Sequence, residues 1–389
     1  MDKIIYLDSA ATTKTSPEVL DSMLPYLKDS FGNPSSIYSI ARESKRAIEK
    51  AREQVADALN CNINEIYFTS GGTESDNWAI KGIAFANEKK GKHIITTSIE
   101  HHAVLHTCEY LEKYGFKITY LPVKSNGIID IETLKKEIRD DTILISVMFA
   151  NNEIGSIQPI KEIGDLAKEK DIYFHTDAVQ AIGKIPIDVE ELHIDLLSLS
   201  AHKFHGPKGV GVLYLRNGVN ISEMLHGGGQ EKKKRAGTEN VAGIVGLGEA
   251  IHLATKKVEK RNKKIIKLRE YLIDEILERI PDTILNGDRE KRLPGNVNVC
   301  FKYIEGESIL LMLDIKKICA SSGSACTSGS LEPSHVLLAL GLKHELAHGS
   351  LRLTLSEHTT KEEIDYVLEV LPIIVDKLRG MSPLINQKK

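Results

Sequence analysis

Short apolar runs rich in β-branched residues alternate with segments of helical spacing along almost the whole chain. The runs Ile66–Thr69, His93–Thr97, Thr142–Met148, Ile172–Asp177, Ile194–Leu199 and Val210–Leu215 predict strands. Ile4 to Thr13 predicts a short strand entering a polar loop. Ser16-Pro17-Glu18 is a helix start with proline in its first turn, and Ala41 to Leu59 carries apolar residues at helical spacing. A long helical pattern from about Glu239 to Ile280 offers a hinge. Beyond it the sequence predicts a strand at Asn296–Phe301, a helix at Glu307–Leu313 and a strand near Ile318. A strand at Ser350–Ser356 and a helix from Thr360 to Leu378 complete it. This alternation is the signature of an α/β architecture on a mainly parallel sheet.

At 389 residues the chain can bury a large core and is expected to divide into two lobes. A net charge of −3 gives no reason to expect nucleic acid or an anionic membrane as partner. No apolar run approaches the ~20 residues of a membrane span. Met1 to Asp8 lacks the apolar stretch of a signal peptide. Five cysteines without paired spacing predict reduced thiols in a cytoplasmic protein.

The chemistry concentrates in Ser198-Leu-Ser-Ala-His-Lys-Phe-His-Gly-Pro-Lys-Gly209. A lysine at a strand end among Ser200, His202 and His205, just ahead of a Gly-Pro turn, is poorly explained by solubility. An imine-forming lysine needs such neighbours, to hold a phosphate and to fix its amine. Lys203 is the candidate; Lys208, between Pro207 and Gly209, reads as a solvated turn residue. Gly71-Gly72-Thr73 lies between a strand and a helix, where unpaired N–H groups can cradle a phosphate; capping of the helix by Ser70 and Thr73 is the competing reading. Asp177 ends another strand and can face a pyridine nitrogen. Asn151-Asn152, beyond a third strand, suits recognition of a carboxylate or a ring oxygen. His102 and His106 share a helix face and invite a metal reading, against which stands one functional histidine with incidental neighbours. Cys326 lies in the small, polar run Ser321-Ser-Gly-Ser-Ala-Cys-Thr-Ser-Gly-Ser330, whereas Cys108, Cys300 and Cys319 have apolar or element-interior neighbours. Arg352 on the last strand is a candidate clamp for an α-carboxylate, or an arginine facing water. His344-Glu-Leu-Ala-His348 fits the zinc-hydrolase pattern, but Gly349 ends its helix at once and His358, the obvious third ligand, lies beyond a strand. Gly243, Gly246 and Gly248 lack the preceding strand of a dinucleotide site.

From Leu7-Asp-Ser-Ala-Ala-Thr-Thr13 to Ser350-Leu-Arg352 the chain resembles the group I cysteine desulfurases of the NifS/IscS type, within the class V aminotransferase family. The lysine and cysteine loops carry the resemblance most specifically. It implies a fold-type I transferase dependent on pyridoxal phosphate. A large domain, 14–255, would hold a mainly parallel seven-stranded sheet, and a smaller α/β domain, 256–389, would pack with residues 1–13. The activity implied is conversion of L-cysteine to L-alanine, with sulfur left as a persulfide on Cys326. Lys203 and His101 would share the catalysis with Cys326, His101 also stacking on the cofactor ring. Gly72, Thr73, Asn152, Asp177, Gln180, Ser200, His202 and Thr238 would complete the cofactor site, and Asn152 and Arg352 would bind substrate. In the family the threonine at the position of Thr238 serves the neighbouring subunit, so a homodimer is implied; from its own surroundings Thr238 could be a simple helix cap. An iron–sulfur scaffold or another acceptor protein would take the sulfur. No metal site is implied beyond a role for Cys326 as a cluster ligand through its persulfide. Selenocysteine lysis or transamination on the same scaffold, a zinc hydrolase using His344 and His348, and a scaffold that merely binds partners are the competing readings.

Overall fold

The computed structural model describes residues 4–322 and 333–382. Its strands are β1 (Ile5–Tyr6), β2 (Ile66–Thr69), β3 (His93–Thr97), β4 (Lys117–Leu121), β5 (Thr142–Ser146), β6 (Tyr173–Asp177), β7 (Leu196–Ser200) and β8 (Gly211–Leu215), followed by β9 (Thr283–Leu285), β10 (Asn296–Phe301), β11 (Ile318–Cys319) and β12 (Ser350–Thr354). Seven of them form one sheet in the order β2-β8-β7-β6-β5-β3-β4. β8 runs antiparallel to β2 and β7, and every other pair is parallel. All five residues of β3, β5, β7 and β8 are buried, because helices cover both faces. That is why these strands read as continuous apolar runs. Successive side chains still divide between the faces: Ile95, Ile145, Leu197 and Val212 join one core, while Ile94, Leu144, Leu196 and Leu213 join the other.

A second group of strands, β12-β10-β9, is antiparallel, and β1 pairs with β11 in parallel beside it. Its core gathers Ile5 and Leu7 with Leu272, Val297, Val299, Phe301, Leu351 and Leu371. The single helix expected from Glu239 to Ile280 is two, Val241–Thr255 and Val258–Arg279, broken where Lys257 takes a left-handed conformation at φ 55°. The break falls where the chain leaves one core for another: Ile244, Leu247 and Ile251 pack in the large lobe, and Ile265, Leu272 and Ile276 in the small one. Gly246 and Gly248 serve close helix packing, since a Cβ on Gly246 would meet Met23 Sδ at 2.6 Å and one on Gly248 would meet Ala51 Cα at 2.7 Å. No helix among the described residues is long and apolar enough to cross a membrane.

Candidate active site

The carboxyl ends of the parallel strands gather the candidate residues, as expected of an open α/β sheet. Asp177 and Ser200 end β6 and β7, which pair in register at Asp177 and Ser198. After β7 a single tight turn, Ala201–Lys203, carries the lysine. Lys203 Nζ donates to the carbonyls of Ala10 and Ala11 at 2.7 and 2.8 Å. The polar segment after β1 is laced to the lysine loop beside it. Thr13 Oγ1 donates to the His202 carbonyl at 2.8 Å and accepts from the His205 N–H at 2.8 Å, and His202 Nδ1 lies 3.1 Å from Thr12 Oγ1. Lys208 is exposed, as a solvated turn lysine should be.

The helix Gly72–Ala86 begins at this strand edge with no side chain capping it, so neither Ser70 nor Thr73 spends its hydroxyl there. A Cβ on Gly71 would lie 3.7 Å from Ser200 Oγ, and one on Gly72 would strike Val179 Cγ2 at 2.7 Å. Two glycines therefore keep the helix start open and close to Ser200. Thr73 is exposed. Glu74 accepts the Ser70 N–H at 2.8 Å and pairs with Arg235 at 2.8 and 3.0 Å, tying this turn to the loop that bears Thr238. Thr238 itself is exposed, and the cap of the following helix is Asn240, which accepts the Gly243 N–H at 3.1 Å. The capping role weighed for Thr238 thus belongs to Asn240.

Burial raises the carboxyl of Asp177 above the ordinary range, while the Val179 N–H, 2.9 Å from Oδ1, and the Lys203 ammonium pull it down. Asp76 is raised as well, by burial and by the charge of Asp177. His101 Nδ1 accepts the Ala103 N–H at 3.1 Å, capping the helix His102–Glu112. Its proton in the neutral ring therefore sits on Nε2. Burial, reinforced by the Lys203 charge, lowers His101 to about 4, so the ring is neutral at pH 7. Lys203 thus acts electrostatically on both Asp177 and His101, which brings the three expected groups into one site.

Of the two amides after β5, Asn151 is consumed locally. Its Oδ1 accepts the N–H groups of Glu153 and Ile154 at 2.8 and 3.0 Å, and its Nδ2 donates to Ile99 at 2.9 Å. The Asn152 carbonyl accepts from Arg352 Nη1 at 3.1 Å. Arg352 Nη2 lies 3.0 Å from Asp8 Oδ1, and its buried Nε has no partner among the described residues. Gln180 donates to the Ala10 carbonyl at 2.9 Å and accepts from Lys184 at 3.0 Å. Lys184 is a second half-buried lysine that sequence reasoning missed; desolvation, with Lys203 and Arg352 nearby, lowers it to about 7. Asp8 was also missed as a partner for Arg352, although it stands in the Leu7-Asp8-Ser9 stretch that carries part of the resemblance.

Cys326 lies outside the described residues. Burial pushes up the thiols of the other four cysteines, Cys61 to about 12 and Cys300 to about 11, with Cys108 and Cys319 raised as well. His344 and His348 occupy a five-residue helix that Gly349 ends, and His358 does not join them. His102 stands with His106 and His335, their ring centroids 5.0 and 4.7 Å from its own, at the flank of His101. A cavity of about 670 Å³ runs between the lobes beside Lys203 and Gln180. His101, Asp177, Asn152 and Arg352 do not line it, so it flanks the candidate site rather than coinciding with it.

Residues 5–367 match the family model described as aminotransferase class-V. The chain is 65% identical over 383 residues to the cysteine desulfurase IscS of Methanosarcina thermophila, covering 98% of this chain and 95% of the relative. It is 62% identical over 386 residues to a protein of the same description from Clostridium botulinum, covering 99% and 97%. The chain belongs to the cysteine desulfurases of the class-V aminotransferase family. A solved NifS-like protein superposes with a TM-score of 0.91 at 41% identity, covering 97% of this chain and all of that one. The family cofactor is pyridoxal phosphate, and the donor set of this desulfurase fits it. The buried Asp177 carboxyl, raised by its burial, would gain a charge partner in a protonated pyridine nitrogen. The open helix start at Gly71 and Gly72 faces Ser200 across space that a Cβ would enter.

Proposed function

We infer that this chain converts L-cysteine to L-alanine with pyridoxal phosphate and passes the sulfur to Cys326. The observation that carries the residue assignments is the convergence of Lys203, Asp177 and His101 at one strand edge beside an uncapped helix start. The N–H groups of Gly72 and Thr73, with Ser200 and His202, would hold the phosphate. Asp177 would face the pyridine nitrogen, His101 the ring, and Gln180 and Asn152 its substituents. When bound, the cofactor supplies an electron sink for negative charge at the carbon next to the amine. Arg352 holds the substrate carboxylate, for which its unpartnered Nε is suited. The Lys203 amine takes the α-proton, and His101 Nε2, neutral near pH 7, can exchange protons beside it. The Cys326 thiolate attacks the substrate sulfur: an S–S bond forms, the Cβ–S bond breaks and Cβ takes a proton, and the α-carbon recovers the proton held by Lys203 to give alanine. The raised thiols of the other four cysteines support Cys326 as nucleophile, since thiolate is the attacking form.

Exposed Thr238 supports completion of a second subunit's phosphate site, and the exposed Leu27, Phe31, Ile37 and Tyr38 support burial of that segment in a homodimer. An iron–sulfur scaffold would be the acceptor, with the cytoplasm as compartment.

Lys184 makes the lysine assignment testable, because it too is partly buried beside the site, and its pKa is lowered. Borohydride reduction of the yellow holoenzyme, followed by peptide mass analysis, is expected to find the cofactor mass on Lys203. Its appearance on Lys184 would overturn the site as drawn.

A further inference from the structure

The metal-binding pattern in the sequence is not where the structure gathers metal-binding side chains. His205, Glu357 and His358 meet instead, their ligand atoms all within 4.8 Å of one another. They come from different parts of the fold. His205 follows Lys203 in the loop toward β8, while Glu357 and His358 follow β12, the strand of Arg352. The two imidazole rings lie 5.4 Å apart at an interplanar angle of 83°. All three residues line the interlobe cavity described above, so the cluster stands apart from the Asp177 and His101 groups.

A second observation sets this cluster apart from polar side chains that happen to meet at a cleft. His205 Nδ1 lies 3.0 Å from the Lys14 carbonyl, which has no proton of its own, so Nδ1 must be the donor. The neutral ring is thereby fixed with Nε2 as a lone pair, the arrangement by which outer-shell carbonyls prepare an imidazole for a metal. Burial also favours that neutral form. Glu357 Oε2 lies 3.2 Å from Arg261 Nε, and its other oxygen remains as a second donor atom. The guanidinium is itself held by the carbonyls of Gly183 and Ala254, so it is anchored on the large-lobe side. Its charge opposes a dication nearby and makes the site weaker than a bare His-Glu-His set would be.

Two imidazole nitrogens and one carboxylate oxygen are borderline donors. They suit Zn²⁺, Co²⁺ or Ni²⁺ better than Mg²⁺ or Ca²⁺, with water in the open position. We propose that His205, Glu357 and His358 form a site for a divalent transition metal that ties the two lobes together beside the cofactor lysine. Since the ligands come from both lobes, the metal also raises the thermal midpoint by binding the folded state.

The test is a titration of the cofactor-loaded enzyme with Co²⁺, read by its visible ligand-field absorption. One equivalent is expected to bind. Glu357→Gln and His358→Ala are each expected to weaken it by more than about tenfold, the lower end of what even outer-shell losses cost. His348→Ala is expected to bind as the parent does. His358 is exposed, so its removal leaves the core intact, which the unchanged cofactor absorption and metal-free melting of the variant would verify. No cobalt absorption, an absorption unchanged in both variants, or an equal loss in His348→Ala would overturn the proposal.

Discussion

Arg352 is inward-facing on β12 because the guanidinium has partners there: Asp8 on one side, the Asn152 carbonyl on another, and a buried Nε that no described residue satisfies. A planar fork can hold Asp8 and a substrate carboxylate at once, whereas an ammonium cannot reproduce the geometry. Arg352→Lys is therefore expected to raise KM for L-cysteine by about 10- to 100-fold, the equivalent of one lost charge-assisted pair. Steady-state alanine release checks this, and an unchanged KM would remove Arg352 from the substrate site. At this scale the sequence was legible where a residue type has few structural uses in its context. A lysine between Ser200 and a Gly-Pro turn, or an aspartate ending a strand ahead of it, announces itself. Asp8 and the His205–His358 contact did not, because their meaning depends on partners far along the chain and in another lobe, and Lys184 did not because only the fold brings it beside Lys203 and Arg352. Asn151 shows the converse. It has the same chemistry as Asn152 on paper, but its own turn uses up its amide.

Among the elements, the strands buried on both faces were read to within about two residues, because such burial leaves uninterrupted apolar runs. The sheet-edge strand β4 and the strand β9, both only partly buried, were not read. The helical region after Glu239 was read as one element because both of its halves have helical spacing. The left-handed Lys257 carries no signal in a sequence where lysine is abundant. The glycines of its first half have a steric use. Gly248→Ala would place a methyl 2.7 Å from the Cα of Ala51, on backbone that cannot step aside. It should cost about 1–3 kcal/mol, as overpacking does. Gly380→Ala, whose added Cβ meets nothing within 4 Å, should be neutral or stabilising by about 0.5–1 kcal/mol. Denaturant midpoints of the two variants make the comparison. Equal midpoints would show that the helix pair is looser than described.

For the molecule as a whole, buried ionisable groups set the pH response. His93, His101 and His202, lowered to about 4, and His175, lowered to about 3, are neutral in both the folded and the unfolded chain only above about pH 7.5. Lys184 and Lys232, lowered to about 7 and about 8, give up protons that the unfolded chain keeps, so they add stability as pH rises. Glu153 and Glu100, raised by burial to about 7 and about 8, act in the opposite direction. The folded chain holds their protons longer, so their contribution to stability is lost as pH rises through those values. The thermal midpoint of Glu100→Gln is therefore expected to gain on the parent's as pH rises from about 6.5 to 8.5. Identical slopes in parent and variant would contradict the burial assigned to Glu100. The two cores explain the lobes, and the strand-end edge between them explains why residues from Asp8 to Arg352 serve one site. The most direct test of that site's chemistry is alanine release from L-cysteine with a thiol reductant, comparing the parent with Cys326→Ser. Alanine from the parent and none from a variant that keeps its cofactor absorption is the predicted result. Equal alanine from both, or none from a parent that binds the cofactor, would contradict the desulfurase account.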